Sequence, residues 1–321
     1  MIRRIFVIVS LAVGLLAPAA AAEFPDRPVK LIVPTAPGGV NDIVARLIQP
    51  GLTAALKQPI VIENKSGANN IVGTNFVAKS PRDGYTLAVV PASHSVNPAV
   101  QINMPFDTEK DLTPVILVGK NAMMFLVNPE VPVTSLREFS ALAKAYPDKF
   151  SFATPGLASQ AHLVIAQWTI MTGVEATHIP YRGGAPAMLA TIAGEVQFTV
   201  MSSLLAAPQV EAGKLRALAI GGLQRDRHFP DLPTFGEAGY PGLDAVTWVG
   251  IFAPAGTPPE IVTRLNGEID RIIHEKDIAA KLEKQGIVVD GGPPEVLGSL
   301  VANEIARWTA VARKNHISVE R

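Results

Sequence analysis

The chain of 321 residues contains no cysteine. That excludes disulfides, thiolate catalysis, cysteine metal sites and a lipid-modified cysteine after a leader segment. Charge is sparse and balanced, with 17% charged side chains and a formal net charge of zero. Nothing in that balance marks a nucleic-acid or anionic-membrane partner. Beyond the N-terminus no apolar run reaches the 18 or so residues that a membrane span needs. There is no Gly-x-Ser-x-Gly elbow and no Gly-Lys-Ser/Thr after a glycine-rich turn, so neither hydrolase nor P-loop chemistry announces itself. The six histidines (His94, His162, His178, His228, His274, His316) are scattered without a His-x-x-x-His pair. No metal and no cofactor are expected.

The first 22 residues have the pattern of a secretory leader. Arg3 and Arg4 precede the apolar stretch 5–16, Pro18 ends it, and Ala20-Ala21-Ala22 fits the small-x-small cleavage pattern. Cleavage there makes Glu23 the mature N-terminus and sends a freely soluble protein, not a lipoprotein, to the periplasm. An uncleaved anchor is the alternative. The remaining length suits two lobes of ordinary domain size, and 48% hydrophobic residues support a substantial core.

Short apolar runs alternate with helical patterns. Strands are predicted at 29–33, 60–63, 86–90, 114–118, 123–127, 150–153, 177–179, 196–200 and 215–220. Helices are predicted from about Asn41, from Ser135 to about Tyr146 with a Ser135/Glu138 capping box, and over 159–171, 185–193, 258–275, 278–285 and 294–314. Pro50 should break or kink the first of them. This alternation predicts a parallel or mixed α/β sheet covered on both faces. There are too many units for one lobe, and no internal repeat or Pro-rich linker separates them.

Three strand ends run into small-residue turns that open helices. The first is Val33-Pro34-Thr35-Ala36-Pro37-Gly38-Gly39-Val40-Asn41-Asp42, with Asn41 read as the N-cap and Asp42 in the first turn. The second runs from Thr154 to His162, where Ser159 either caps the helix or donates to a ligand and His162 supports the loop. The third is Ile179-Pro180-Tyr181-Arg182-Gly183-Gly184, with a pocket-lining phenol and a guanidinium able to fork onto a carboxylate or point to solvent. Ser93, His94 and Ser95 add small polar groups at one more strand end. Free backbone N–H groups at such turns form a carboxylate site. Each also reads as an ordinary strand-to-helix turn. Several on one framework point to binding rather than catalysis. A secreted hydrolase using Ser159 and His162, and a sensory receptor for the same ligand, are the rival readings.

Taken in order, these segments resemble the extracytoplasmic receptors of tripartite tricarboxylate transporters, the Bug or TctC-like family. The resemblance begins at Phe24-Pro25-Asp26-Arg27-Pro28 and runs through the Pro34–Asp42 turn, 58–68 (QPIVIENKSGA), 83–87 (DGYTL) and 94–98 (HSVNP). It continues through 178–183 (HIPYRG), 212–219 (AGKLRALA) and 253–258 (APAGTP). It implies a two-lobed periplasmic-binding-protein fold of the Venus-flytrap type II kind with the ligand cleft between lobes. Lobe 1 would comprise 24–123 plus 241–321, and lobe 2 residues 124–240. It implies a monomer that binds a small carboxylate and hands it to two integral-membrane subunits, one large and one small. The matching positions for ligand contact are Thr35, Ala36, Pro37, Gly38, Gly39, Val40, Asn41, Asp42, Ser93, His94, Thr154, Ala158, Ser159, His162, Tyr181, Arg182, Gly183, Met201 and Ser202. This chain departs from the pattern at Val200-Met201-Ser202, where many relatives carry a Phe-Asp pair. That departure disfavours ligands with an amino group and favours plain dicarboxylates or aromatic acids. Thr35-Ala36-Pro37 also stands where an aromatic residue and paired prolines are common.

Overall fold

A computed structural model describes residues 24–101 and 103–319. The expected leader at 1–22 lies outside the described residues. In chain order the elements are β1 (Val29–Val33), α1 (Val40–Leu56), β2 (Ile60–Asn64), α2 (Ile71–Ala78), β3 (Thr86–Pro91), α3 (Ser93–Val100), β4 (Leu112–Val127), α4 (Leu136–Ala145), β5 (Ser151–Thr154) and α5 (Gln160–Thr172). They continue with β6 (Thr177–Pro180), α6 (Gly184–Ile192), β7 (Phe198–Ser202), α7 (Ser203–Glu211), β8 (Arg216–Ile220), β9 (Val246–Pro254), α8 (Pro259–Ile273), α9 (Lys276–Glu283), β10 (Val288–Val289) and α10 (Pro294–Lys314).

The strands lie in the order β2-β1-β3-β9-β4-β7-β5-β6, with β8 and β10 also paired to β4. β1 runs parallel to β2 and β3, and β5 runs parallel to β6 and β7. Between these groups β9 is antiparallel to β3 and β4, and β4 is antiparallel to β7. β4 therefore belongs to both groups. Its stretch from Leu112 to Ala122 pairs with β9, and its stretch from Met123 to Val127 pairs with β7.

The cores follow the same division. Val115, Ile116 and Val118 pack with the buried faces of β1, α1 and α8. Past the midpoint, Phe125 is ringed by Phe139, Trp168 and Phe198 at centroid distances of 5.5, 5.2 and 5.4 Å. Such rings combine large area burial with favourable edge and offset geometry. α10 serves both sides. Leu297 and Val301 pack near Trp248 and Phe252, whereas Trp308, Val311 and Ala312 join the Phe125 cluster.

Two sequence expectations are corrected. The separate strands predicted at 114–118 and 123–127 are one strand of 16 residues. The weak stretch Gly119-Lys120-Asn121-Ala122 is held extended by pairing with Val249, Trp248, Thr247 and Val246. Pro50 does not break α1, which runs through it for 17 residues. The buried positions Val44, Ile48, Leu52 and Leu56 continue one apolar stripe across it, while Pro50 itself is exposed. The carbonyl that loses its donor is thus met on the solvent side. The Ser135 cap forms as expected, accepting Glu138 N–H at 3.2 Å, but the Glu138 carboxylate returns to Thr134 rather than to the cap itself.

Candidate functional site

The register of the central strands brings two rows of loop openings face to face. Pro91, the last residue of β3, stands opposite Val249 of β9, which stands opposite Gly119 of β4. Ser202, the last residue of β7, stands opposite Met123 of the same strand. The two parallel groups run in opposite senses, so their carboxyl ends approach the middle of β4 from both sides, four residues or about 13 Å apart along it. Ligands of open α/β sheets bind at such carboxyl ends. The turns after β1, β3, β5, β6 and β7 all open onto this line.

The turns after β1 and β5 have the same construction. Their caps, Gly39 and Ser159, have φ, ψ of −73°, 164° and −69°, 160°. Each cap N–H reaches back three residues, Gly39 to Ala36 O and Ser159 to Gly156 O, both at 3.3 Å. The residue before each cap has positive φ, 81° at Gly38 and 56° at Ala158. In each turn the side chain three residues beyond the cap folds back to accept that residue's N–H. Asp42 Oδ2 takes Gly38 N–H at 2.9 Å, and His162 Nδ1 takes Ala158 N–H at 3.1 Å. The first helical amides have no intrahelical acceptor and, with the helix dipole, favour an anion at the turn.

Around the first turn, Asp42 is almost fully buried, and Arg46 forks onto it with bonds of 2.9 and 3.0 Å. Asn64 bridges its other side to Thr35 O. The Arg46 bonds, with those from Gly38 and Asn64, outweigh burial and hold the Asp42 carboxyl at about 2. Asn41 is not the N-cap. Gly39 occupies that position, and the buried Asn41 amide turns inward to donate to Val89 O of β3 at 3.1 Å, clamping α1 to the sheet. The Thr35 hydroxyl oxygen is buried without a partner among the described residues. Ala36, Pro37 and Gly38 are exposed, and Gly39 and Val40 half-exposed, at the lip of the turn.

The second turn rests on two stacked imidazoles. His162 and His178 lie 3.9 Å apart, with Phe152 against His178 at 4.9 Å. Thr154 Oγ1 lies 2.9 Å from Gly156 O and shares a hydrogen bond of 2.6 Å with His178 Nε2. Burial pushes both rings down to about 4, and for His162 the neighbouring His178 adds to the effect. Both are therefore neutral near pH 7. Ser159 caps α5 by accepting His162 N–H at 3.3 Å. The His162 ring is bonded to Ala158 rather than to the Ser159 hydroxyl, so no nucleophile–base pair of the hydrolase kind forms.

The third turn is tied to the second. Tyr181 N–H donates to Thr154 O at 2.9 Å and Gly183 N–H to Pro155 O at 3.0 Å. Gly183 precedes α6 with φ 118°, and the Tyr181 hydroxyl reaches Glu195 at 3.4 Å. Arg182 is exposed, and no hydrogen bond or ion pair engages it among the described residues. Ser202 precedes the first turn of α7, and Met201 is buried beside it.

At the end of β3 the expectation for His94 is corrected. Its ring is 3% exposed, packed 4.7 Å from Phe252 and 6.3 Å from Phe106, and burial pushes it down to about 3. It belongs to the core. Ser93 instead meets Asn70, whose side-chain amide donates to its hydroxyl at 2.6 Å, while Asn69 and Asn97 exchange bonds of 2.7 and 2.9 Å. Ala68, Asn69 and Asn70 all have positive φ, a run that asparagine tolerates better than most residues. These asparagines, with Asn64 and His178, escaped the sequence reading. Of these only Asn64, the last residue of β2, carries a local signal by its place at a strand end.

Two surface cavities, of ≈ 260 and ≈ 550 Å³, lie elsewhere, around Phe150 and Gln197 and around Gln101 and Asp107. Neither touches these turns. Among the described residues, no helix is long and apolar enough to cross a membrane.

Comparison with known proteins matches residues 44–317 to the family described as "Tripartite tricarboxylate transporter family receptor". Protein BugT of Bordetella pertussis (strain Tohama I) is 36% identical over 303 residues, 94% of this chain and 93% of that protein. Among solved structures, an R. palustris protein with adipate matches with a TM-score of 0.79 at 36% identity, over 92% of this chain and 99% of that one. MatC from Rhodopseudomonas palustris with bound malate matches with a TM-score of 0.75 at 34% identity, over 90% and 99%.

Proposed function

The chain belongs to the tripartite tricarboxylate transporter receptor family, and from that premise we propose that it captures a small carboxylate by lobe closure and delivers it to membrane partners. The family is one of substrate-binding receptors, not of enzymes, and the fold is that of two-lobed periplasmic solute-binding proteins. In our reading one lobe spans 24–123 with the returning chain from 241, and the other spans 124–240. The hinge then lies where β4 exchanges partners between Ala122 and Met123.

One observation carries this reading: two turns of the same construction on opposing carboxyl edges that meet at the middle of one strand. An acid held by the first-turn amides of one helix recruits those of the other, and closure is favoured by the additional contacts of the closed form. The ligand is a dicarboxylate, tricarboxylate or aromatic acid. Adipate and malate, the acids held by the two R. palustris relatives, are both dicarboxylates and are the first class to test. Val200-Met201-Ser202 offers no acid for a ligand ammonium, and Leu157 and Leu205 are exposed beside the turns to meet an apolar ligand body. The protein works as a monomer in the periplasm after removal of its leader, and it passes the ligand to a large and a small integral-membrane subunit.

Calorimetry with dicarboxylates of four to nine carbons and with aromatic acids tests the proposal. An acid at 100 times its Kd stabilises the fold by about 2.7 kcal/mol, which a thermal shift registers. Absence of both heat and shift across the panel rejects the carboxylate reading.

A further inference from the structure

The two matched turns solve one problem with different chemistry. Each needs an acceptor three residues beyond its cap to hold the N–H of the residue before the cap. Asp42 supplies a charged oxygen for Gly38, and His162 supplies a neutral nitrogen for Ala158. Asp42 carries its own counter-charge, the guanidinium of Arg46 one helical turn on. His162 has Ala166 at the corresponding place and leans on the His178 ring, itself bonded to Thr154. An anion at the start of α1 meets the helix dipole with a carboxylate one turn behind it whose charge Arg46 must offset. An anion at the start of α5 meets the dipole alone, and the neighbouring turn, bonded to this one through Tyr181 and Gly183, carries the unengaged Arg182.

We infer that His162 is a positioning residue for the ligand carboxylate: it holds the Pro155–Ser159 turn in its anion-accepting form without placing a negative charge behind it. The inference rests on the carboxylate-receptor reading above.

Calorimetry with adipate on three variants decides it, with the thermal midpoint of each unliganded protein measured alongside. His162→Asn keeps a neutral acceptor, His162→Asp keeps the acceptor but adds a carboxylate with no counterpart of Arg46 to offset it, and His162→Ala removes the acceptor. The expected result is His162→Asn within about threefold of wild type and both other variants at least tenfold weaker. A purely structural role would shift the thermal midpoints and leave adipate affinity in place. Equal affinities of His162→Asn and His162→Asp overturn the charge argument. His162→Asn as weak as His162→Ala overturns the positioning role, and that comparison stands even where His162→Asp does not fold. Wild-type protein that binds another acid of the panel but not adipate moves the same comparison to that acid. Wild-type protein that binds none overturns the receptor reading and this inference together, whereas the variant results above overturn the inference alone.

Discussion

The buried carboxylate of Glu304, on α10, accepts the indole N–H of Trp248, on β9, at 2.8 Å. The same oxygen accepts the hydroxyl of Ser95 in the first turn of α3, and Arg307 donates to the other oxygen at 3.3 Å. Arg307 also reaches Asp244 O at 3.1 Å, just before β9 begins. One acid thus joins the turn after β3 to the strand that pairs with β4 up to the point of partner exchange.

Glu304→Ala is expected to cost about 2–4 kcal/mol in urea unfolding, because it strands the indole N–H and the guanidinium. Glu304→Gln, which keeps an acceptor oxygen, should cost less. Burial raises the Glu304 carboxyl above the ordinary value of 4.5 against its three donors. The folded protein then holds this proton to a higher pH than the unfolded chain does. Its stabilising share is full below 4.5 and is lost as pH rises through the folded value. Glu304→Gln should therefore gain on wild type as pH rises from 4 to 7. Parallel curves would reject this.

His94 behaves oppositely. Its folded value near 3 lies below the ordinary 6.5, so its contribution is full above 6.5 and is lost as pH falls toward 3. His94→Phe fits the aromatic contacts with Phe106 and Phe252 and removes an Nε2 that has no partner among the described residues. At pH 7.5 it should match wild type within about 1 kcal/mol. Below pH 6 it should gain by up to about 1.4 kcal/mol per pH unit. Urea midpoints across that range measure the difference in slope, and equal slopes would exclude a buried neutral ring.

Asp42→Ala leaves Gly38 N–H without its acceptor and Arg46 unpaired, for an expected loss of about 2–4 kcal/mol. Arg46 is half-exposed, but Arg46→Ala leaves the almost fully buried Asp42 carboxylate without its fork, so it should also destabilise the fold, by less than Asp42→Ala. Because the folded Asp42 titrates at about 2 rather than 3.8, its contribution is present above 3.8 and disappears as pH falls toward 2. The gap between Asp42→Ala and wild type should close over that interval in acid unfolding.

Arg182→Ala removes an exposed side chain that has no partner among the described residues. The thermal midpoint of the unliganded protein should stay within about 1 °C of wild type, in line with surface substitutions. Affinity for adipate should fall about tenfold, the scale of one charge-assisted contact. Unchanged affinity would place Arg182 outside the ligand's reach.

Elements whose signal lies within a few residues were legible without coordinates. β1, α4 with its Ser135 cap and α5 with its Ser159 cap fall within a residue or two of their predicted bounds, since apolar runs and caps act locally. β9 was missed although its residues are strongly apolar. α2, α3 and α7 were missed because each is only eight or nine residues long, and α3 and α7 follow directly on strand ends. His94 read as a polar group at a strand end, yet Phe106 and Phe252, remote in sequence, enclose it.

The amino-acid order by itself determined the α/β alternation and the small-residue turns, because helix caps, positive-φ glycines and apolar runs are decided by nearest neighbours along the chain. Tertiary structure alone decided that β4 is one strand, that Pro91 and Ser202 arrive within four positions of each other along it, and that His178 stands behind the turn His162 supports. Those relationships depend on hydrogen-bond register and packing between segments up to some 200 residues apart, such as Ser95 and Glu304. No local pattern encodes such pairings, since register is settled only when the apolar faces of distant strands are buried together.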